Sequence, residues 1–309
     1  MNLPKIAMGA WAWGDTDGYF GNNMSIDDFR PIFKEALNAG MNLWDTATAY
    51  SNGKSEEILG QLVNEVGREN VIVSTKFTPQ MAEMYDNSVV KMCEASLKRM
   101  NMEYFDIYWI HNPINAPEYT KELIPLLQSG KVKTVGVSNH NLTQIKEANA
   151  ILKKAGYRIS AVQNHFSLMN RSSEESGIIQ YCEENDIVFY GYMTLEQGAL
   201  SGKYDTTHPF PKDSARANVF NPMLSQIEMI TNELKKVANT HHVSVAQIAT
   251  AYAINKGVLP ILGVTKLYQV EEAQKMADIV LTEEEMEALE SASDSSGVAS
   301  IQFWESRME

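Results

Sequence analysis

The sequence predicts a (β/α)8 barrel, and three observations carry that prediction. Eight short apolar runs alternate with segments whose apolar residues recur at spacings of three and four, the pattern of strands joined by amphipathic helices. Helical segments begin and stop at residues suited to those places, such as Ser25 before Asp27-Asp28 and Gly40 after Ala39: a cap with acids in the first turn, then a glycine where φ turns positive. Polar residues also close several apolar runs, among them Asp45, Lys76, His111 and Ser138. Strands separated by helices pair in parallel through right-handed crossovers. Eight such units close into a barrel whose C-terminal rim carries the chemistry.

Taken in order, residues 5–11 read as the first strand and 25–39 as the first helix. A strand over 41–45 leads to a helix over 55–66, stopped before Gly67. A strand over 71–76 leads to a helix over 86–102, where Val90, Cys93, Leu97 and Met100 share one face. Strand 105–111 precedes helix 117–128, stopped by Gly130. Strand 132–137 precedes helix 143–154, and strand 159–164 precedes helix 173–184. Strand 187–192 opens into a long irregular segment, 198–222, a length that marks a binding loop or lid. Helices over 224–240 and 245–255 follow, the second capped by Ser244, then strand 258–263, helices over 270–277 and 283–292, and a polar tail.

With 309 residues and 44% hydrophobic content, the chain has ample material for a core, and no linker or low-complexity run divides it. One barrel domain over 1–309 is expected. A net charge of −13 argues against nucleic acid or an anionic membrane as partner, since phosphate binding rests on clustered Lys and Arg. A local basic pocket for one phosphate is still compatible with that charge. Cys93 and Cys182 fall in separate helix-like segments and read as buried thiols of a reducing compartment. No basic segment followed by an apolar stretch opens the chain, and no apolar run approaches a membrane span of about 18 residues. A soluble, cytoplasmic protein is expected; its oligomeric state is unknown.

Asp45, Tyr50, Lys76 and His111 suit one task together. A phenol titrates near pH 10, too high for easy proton exchange at neutral pH. A neighbouring ammonium lowers that value, and an aspartate holds the ammonium charged and in place. A histidine on the same rim can orient a carbonyl oxygen. The set makes a proton donor for an oxygen that becomes negative as hydride reaches carbon. Singly, each residue fits an ordinary structural role; their meeting at one rim in three consecutive βα units is what points to catalysis.

The chain resembles the aldo-keto reductase family. The likeness rests on Gly9-Ala10-Trp11, Trp44-Asp45-Thr46-Ala47 with Tyr50, Ser55-Glu56-Glu57-Ile58-Leu59-Gly60, Ser96-Leu97-Lys98-Arg99, Tyr104-Phe105-Asp106-Ile107-Tyr108 through His111, and Gly136-Val137-Ser138-Asn139. It implies an NAD(P)H-dependent carbonyl reductase, or the reverse alcohol oxidation, with Tyr50 as the acid/base of a tetrad completed by Asp45, Lys76 and His111. It also implies a nicotinamide dinucleotide extended across the rim without a Rossmann domain, in keeping with the lack of a convincing Gly-x-Gly-x-x-Gly after a strand.

By the same resemblance Ser138, Asn139 and Gln163 bind the nicotinamide carboxamide, and Tyr192 stacks on the ring. Met193, Leu195, Gln197 and Gly198 belong to the loop over the pyrophosphate. Gly263, Thr265, Lys266, Gln269 and Glu272 belong to the turn and helix that meet the adenosine half. NADP(H) is favoured on the charge of Lys266, with NAD(H) as the alternative, since many relatives carry a basic residue at the place of Gln269. Trp11, Trp13, the 18–24 loop, Phe77, Asn112 and the tail near Phe303-Trp304 are expected to line the substrate pocket, for a small carbonyl or alcohol. Two other readings stand beside this one: a metal-dependent barrel using Asp45, His111, His165 and Glu196, and a cofactor-binding regulatory subunit of the same fold.

Overall fold

Eight parallel strands close on themselves in sequence order: β1 (Ala7–Gly9), β2 (Leu43–Asp45), β3 (Ile72–Phe77), β4 (Phe105–Ile110), β5 (Val132–Ser138), β6 (Ala161–His165), β7 (Val188–Tyr192) and β8 (Leu259–Gly263). The last pairs with the first through Ala7↔Ile261 and Gly9↔Gly263. This is a computed structural model, and it describes residues 2–16, 18–85, 89–302, 305 and 308, the side chains of 83–85 excepted. The (β/α)8 fold class read from the sequence is the fold observed.

The helices are α1 (Ile26–Asn38), α2 (Lys54–Val66), α3 (Val89–Met100), α4 (Ala116–Ser129), α5 (Leu142–Lys153), α6 (Ser172–Glu175), α7 (Ile178–Glu184), α8 (Ala215–Phe220), α9 (Leu224–His241), α10 (Val245–Asn255), α11 (Leu267–Met276) and α12 (Glu283–Ser296). Ser25 caps α1 in a reciprocal box in which Asp28 accepts the Ser25 N–H at 2.7 Å; Ser244 with Gln247 and Thr282 with Glu285 repeat the device. Gly40 (φ +78°), Gly67 (φ +94°) and Gly130 (φ +74°) end their helices as expected.

Three expectations are corrected. The helix expected over 173–184 is two helices, because Gly177 takes φ +76° between α6 and α7. The segment 198–222 is not irregular throughout: it holds a 3-10 turn (Glu196–Ser201), α8 and a second 3-10 turn (Asn221–Met223). Strands are mostly shorter than their apolar runs, since the early residues of a run serve the approach to the barrel and not its ladder. The expected start of the third helix at Asp86 lies outside the described residues.

Side chains alternate along each strand, so every second residue faces the barrel interior. Ala7, Leu43, Ile107, Trp109, Ala161, Tyr190 and Leu259 form the apolar interior. The outward residues, such as Met8, Trp44, Val73, Tyr108, Val135 and Val162, join the larger core under the helices. Each fully buried aliphatic or phenylalanine side chain there contributes roughly 1.5–3 kcal/mol. Gly136 stands inward beside Trp109, where an added Cβ would come within 2.4 Å of the indole; the glycine gives the indole its room. Cys93 and Cys182 are both buried free thiols.

Candidate active site

The inward period of two carries on past the apolar interior and ends in polar residues. Two residues beyond Leu43 comes Asp45, and two beyond Trp109 comes His111; Ser138 follows Gly136, Gln163 follows Ala161 and Tyr192 follows Tyr190 in the same way. Lys76 follows Ser74 by the same step. The parity that fills the barrel therefore delivers these side chains to one rim, at the strands' C-terminal ends. Tyr50 arrives differently. Its N–H bonds the Ala47 carbonyl at 3.0 Å, and Ser51, Asn52 and Gly53 turn through positive φ, curling the chain so that the phenol faces Lys76.

At that rim Lys76, with no exposed surface, donates to Asp45 Oδ2 at 2.5 Å, to the Thr46 carbonyl at 2.8 Å and to the Tyr50 hydroxyl oxygen at 3.3 Å. An ammonium has three N–H donors, and all three have acceptors. Asp45 Oδ1 receives the Ser74 hydroxyl at 2.5 Å and Gln163 Nε2 at 3.3 Å. His111 packs edge-on to Tyr50 with ring centroids 5.9 Å apart, and its Nδ1 lies 3.2 Å from the Thr78 hydroxyl. Enclosure and the Lys76 charge together hold the imidazole well below its ordinary value, so it is neutral at pH 7. Lys76 is held above its ordinary value by Asp45 and Tyr50, against the opposing effect of burial.

The phenol differs from the sequence expectation. Lys76 does pull the Tyr50 value down, yet enclosure raises it more, and the net shift is upward. Tyr50 is therefore protonated at neutral pH, with its oxygen accepting from Lys76 and its own O–H free to point elsewhere.

Residues expected at the carboxamide lie together: Asn139 Nδ2 donates to the His111 carbonyl at 2.9 Å and to Ser138 Oγ at 3.3 Å, and its Oδ1 lies 2.5 Å from the Tyr192 hydroxyl. After β7 the chain takes positive φ at Met193 (+62°), Glu196 (+48°), Gln197 (+52°) and Gly198 (+101°), a sharply curled loop that also holds Leu195. Within it Gln197 Nε2 is buried with no partner among the described residues. Across the rim an added Cβ at Gly263 would meet open space, and Gln269 Oε1 accepts the N–H groups of Thr265 and Lys266 at 2.8 and 2.9 Å. Glu272 stands a turn further along α11. An unmatched buried amide donor and a clustered amide-and-hydroxyl set fit the donor needs of a nicotinamide dinucleotide.

Trp11 reaches the rim, in contact with Tyr50 (6.0 Å between ring centroids), Tyr19 and Phe20, which bears on the expected 18–24 loop. Asn112 is held by a reciprocal amide pair with Gln80 at 3.1 and 3.0 Å. Two expected pocket residues are not brought to the mouth. Trp13 is fully buried, stacked 4.6 Å from Phe29, with its N–H on the Val264 carbonyl. Phe77 is fully buried against Tyr119, because it follows inward-facing Lys76 and must face outward. Phe303-Trp304 lie outside the described residues.

The four residues of the metal alternative do not converge. Asp45 is engaged by Lys76, whereas His165 and Glu196 pair with each other at 2.7 Å; among the described residues no group of three or more His, Cys, Asp or Glu is placed to hold a metal ion. The sequence reading missed Ser74, Thr46 and Thr78 as partners of the tetrad. Ser74 and Thr78 share the strand parity of Lys76, so that signal was available. It also missed Glu305, for which no local signal exists.

Comparison with known proteins agrees with this geometry. The profile of the Aldo/keto reductase family matches residues 5–294. The chain is 30% identical to the chloroplastic pyridoxal reductase of Arabidopsis thaliana over 98% of its length and 86% of that protein's. It superimposes on the glycerol dehydrogenase of Gluconobacter oxydans with TM-score 0.81 at 27% identity, covering 98% and 95% of the two chains. It shares its fold with an aldo-keto reductase of Klebsiella pneumoniae, solved in complex with NADPH, at TM-score 0.74 and 22% identity over 99% and 95% of the chains. A closed (β/α)8 barrel, matched by this profile over nearly its whole length, makes the chain a member of the aldo/keto reductase family and an NAD(P)H-dependent oxidoreductase.

Proposed function

We propose that the protein reduces a small aldehyde or ketone to the alcohol, or runs the reverse reaction, with Tyr50 as the proton donor. The observation that carries this reading is the saturated Lys76 ammonium: it fixes the Tyr50 oxygen as an acceptor at 3.3 Å, so the phenolic proton is the one left to give. The raised Tyr50 value keeps that proton available at neutral pH. Neutral His111, edge-on to the phenol, supplies a second contact for a carbonyl oxygen. Asp45 holds Lys76 charged and in place.

Ser138, Asn139 and Gln163 would hold the carboxamide, Tyr192 the nicotinamide face, Met193, Leu195, Gln197 and Gly198 the pyrophosphate, and Gly263, Thr265, Lys266, Gln269 and Glu272 the adenosine half. When bound, the reduced dinucleotide supplies hydride. NADPH is the favoured form because Lys266, exposed beside the α11 N-terminus, adds positive charge where the dipole already favours an anion; NADH is the competing form. Trp11 and Asn112 would border the carbonyl substrate, and the cytoplasm is the proposed compartment.

Fluorescence titration with both dinucleotides, then a carbonyl panel monitored by nicotinamide absorbance, tests the reading. Tyr50→Phe is expected to keep dinucleotide affinity and to lose about 10²–10⁴ of the reduction rate, the range for a positioned general acid. Turnover at the wild-type rate in that variant would remove Tyr50 as the donor.

A further inference from the structure

After α12, residues 297–302 run back over the ends of β6 and β7 as a strap. Ser300 N–H bonds the Met169 carbonyl at 3.1 Å, and Asn170 Nδ2 bonds the Ser300 carbonyl at 2.8 Å. The Ser300 hydroxyl donates to Glu196 Oε2 at 2.8 Å. Further along, Glu305 folds inward until only 2% of its side chain is exposed. Its Oε2 lies 3.0 Å from His165 Nδ1 and accepts the Gln302 N–H at 3.1 Å, while its Oε1 lies 2.8 Å from the Tyr192 hydroxyl. Met308 is buried beyond it, with its sulfur 3.5 Å from Asn164 Nδ2.

Burial at this depth needs a compensating charge, and His165 supplies it. Its two nitrogens meet Glu305 and Glu196, and although removal from water works against it, Glu196 and then Glu305 raise the imidazole to about 10. The same imidazole lies against the Tyr192 ring, with centroids 5.6 Å apart and planes inclined by 26°. Tyr192 is thus pinned on its face by His165 and at its tip by Glu305 and Asn139. With one proton to give, its hydroxyl is shared between those two oxygens, so the strap carboxylate takes part in setting both the phenol and the Asn139 amide.

We propose that Glu305 is a positioning residue for dinucleotide binding: the strap brings its carboxylate into the rim, where it fixes Tyr192 in the attitude that backs the nicotinamide. The proposal rests on the reading, given above, that Tyr192 faces that ring. It makes the strap part of the cofactor site, so strap closure and dinucleotide affinity are coupled and the coupling is reciprocal.

The test is fluorescence titration of NADPH and of NADH into wild type, Glu305→Ala, Glu305→Gln, Tyr192→Phe and the Tyr192→Phe/Glu305→Ala double variant. Glu305→Ala is expected to raise Kd about tenfold for both dinucleotides, the scale of one hydrogen bond to a charged group, since the nicotinamide half is common to them. Glu305→Gln keeps an oxygen acceptor for the phenol but sets an N–H against the protonated imidazole, and should fall between wild type and Glu305→Ala. Tyr192→Phe should weaken binding on its own, and Glu305→Ala should add nothing in that background. Unchanged affinity in Glu305→Ala, or additive losses in the double variant, overturns the proposal. A wild type that binds neither dinucleotide removes the parent reading and the proposal with it. Should Glu305→Ala fail to fold, hydrogen exchange of residues 297–302 decides: NADPH should slow it in wild type and not in Tyr192→Phe, and equal slowing in both overturns the proposal.

Discussion

Lys76 shows how much one side chain carries. It is fully enclosed, and its charge is balanced by Asp45 and by two further oxygens. Removing one partner of such a pair leaves the other charge buried and uncompensated, at a cost of about 3–5 kcal/mol. Lys76→Met is therefore expected to lower unfolding free energy by that amount in denaturant titration and to lose most turnover, while Lys76→Met with Asp45→Asn should regain much of the stability and none of the activity. Recovery of turnover in the double variant would mean that the ammonium has no chemical role. At this scale the sequence was informative where strand alternation applied: Asp45, Lys76, His111 and Gln163 are inward by parity. Alternation equally marks Phe77 as outward, and assigning it to the pocket ignored that rule. Trp13 lies past the end of β1, where no period governs direction, and only packing against Phe29 and Trp44 decides it.

Among the elements, α2 and α3 meet more closely than side-chain volumes suggest. A Cβ at Gly60 would fall 2.6 Å from the Met100 Cα and 2.8 Å from its carbonyl oxygen, and Asn64 Nδ2 ties the Gly60 and Met100 carbonyls together at 2.7 and 2.9 Å. Arg99 of α3 pairs with the fully buried Glu56 of α2 in the same interface. Intrinsic propensity alone would make alanine better than glycine here by about 1 kcal/mol. Forced backbone separation outweighs it, so Gly60→Ala is expected to destabilise by about 1–3 kcal/mol, read as a lowered denaturation midpoint; an unchanged or raised midpoint would show that the helices part freely. The caps of α1 and α10 were legible because a cap is a contact between residues three apart. The break at Gly177 was not, since an isolated glycine within an apolar period is compatible with an unbroken helix.

For the whole molecule, two buried histidines act in opposite directions on stability. His140 donates from Nδ1 to the Ser138 carbonyl at 2.7 Å, its Nε2 is buried without a partner among the described residues, and burial lowers it to about 4. The unfolded chain binds that proton near pH 6.5, so stability falls as pH drops from about 6.5 to 4, by on the order of 3 kcal/mol. His165, raised to about 10, stabilises fully below pH 6.5, and its contribution is lost as pH climbs toward 10. A stability optimum near neutrality follows. His140→Asn should flatten the acid limb alone, and an acid limb of unchanged slope in that variant would assign it to the carboxylates.

The sequence by itself determined the barrel, the order of its strands and the rim that bears Asp45, Lys76 and His111, because a period of two and a helix cap are properties of neighbouring residues. Tertiary structure alone decided what closes over that rim. Glu305 lies 140 residues from His165 and 113 from Tyr192, and no local pattern encodes a hydrogen bond across such separations; it exists only once the closed barrel has brought β6, β7 and the chain's end to the same place.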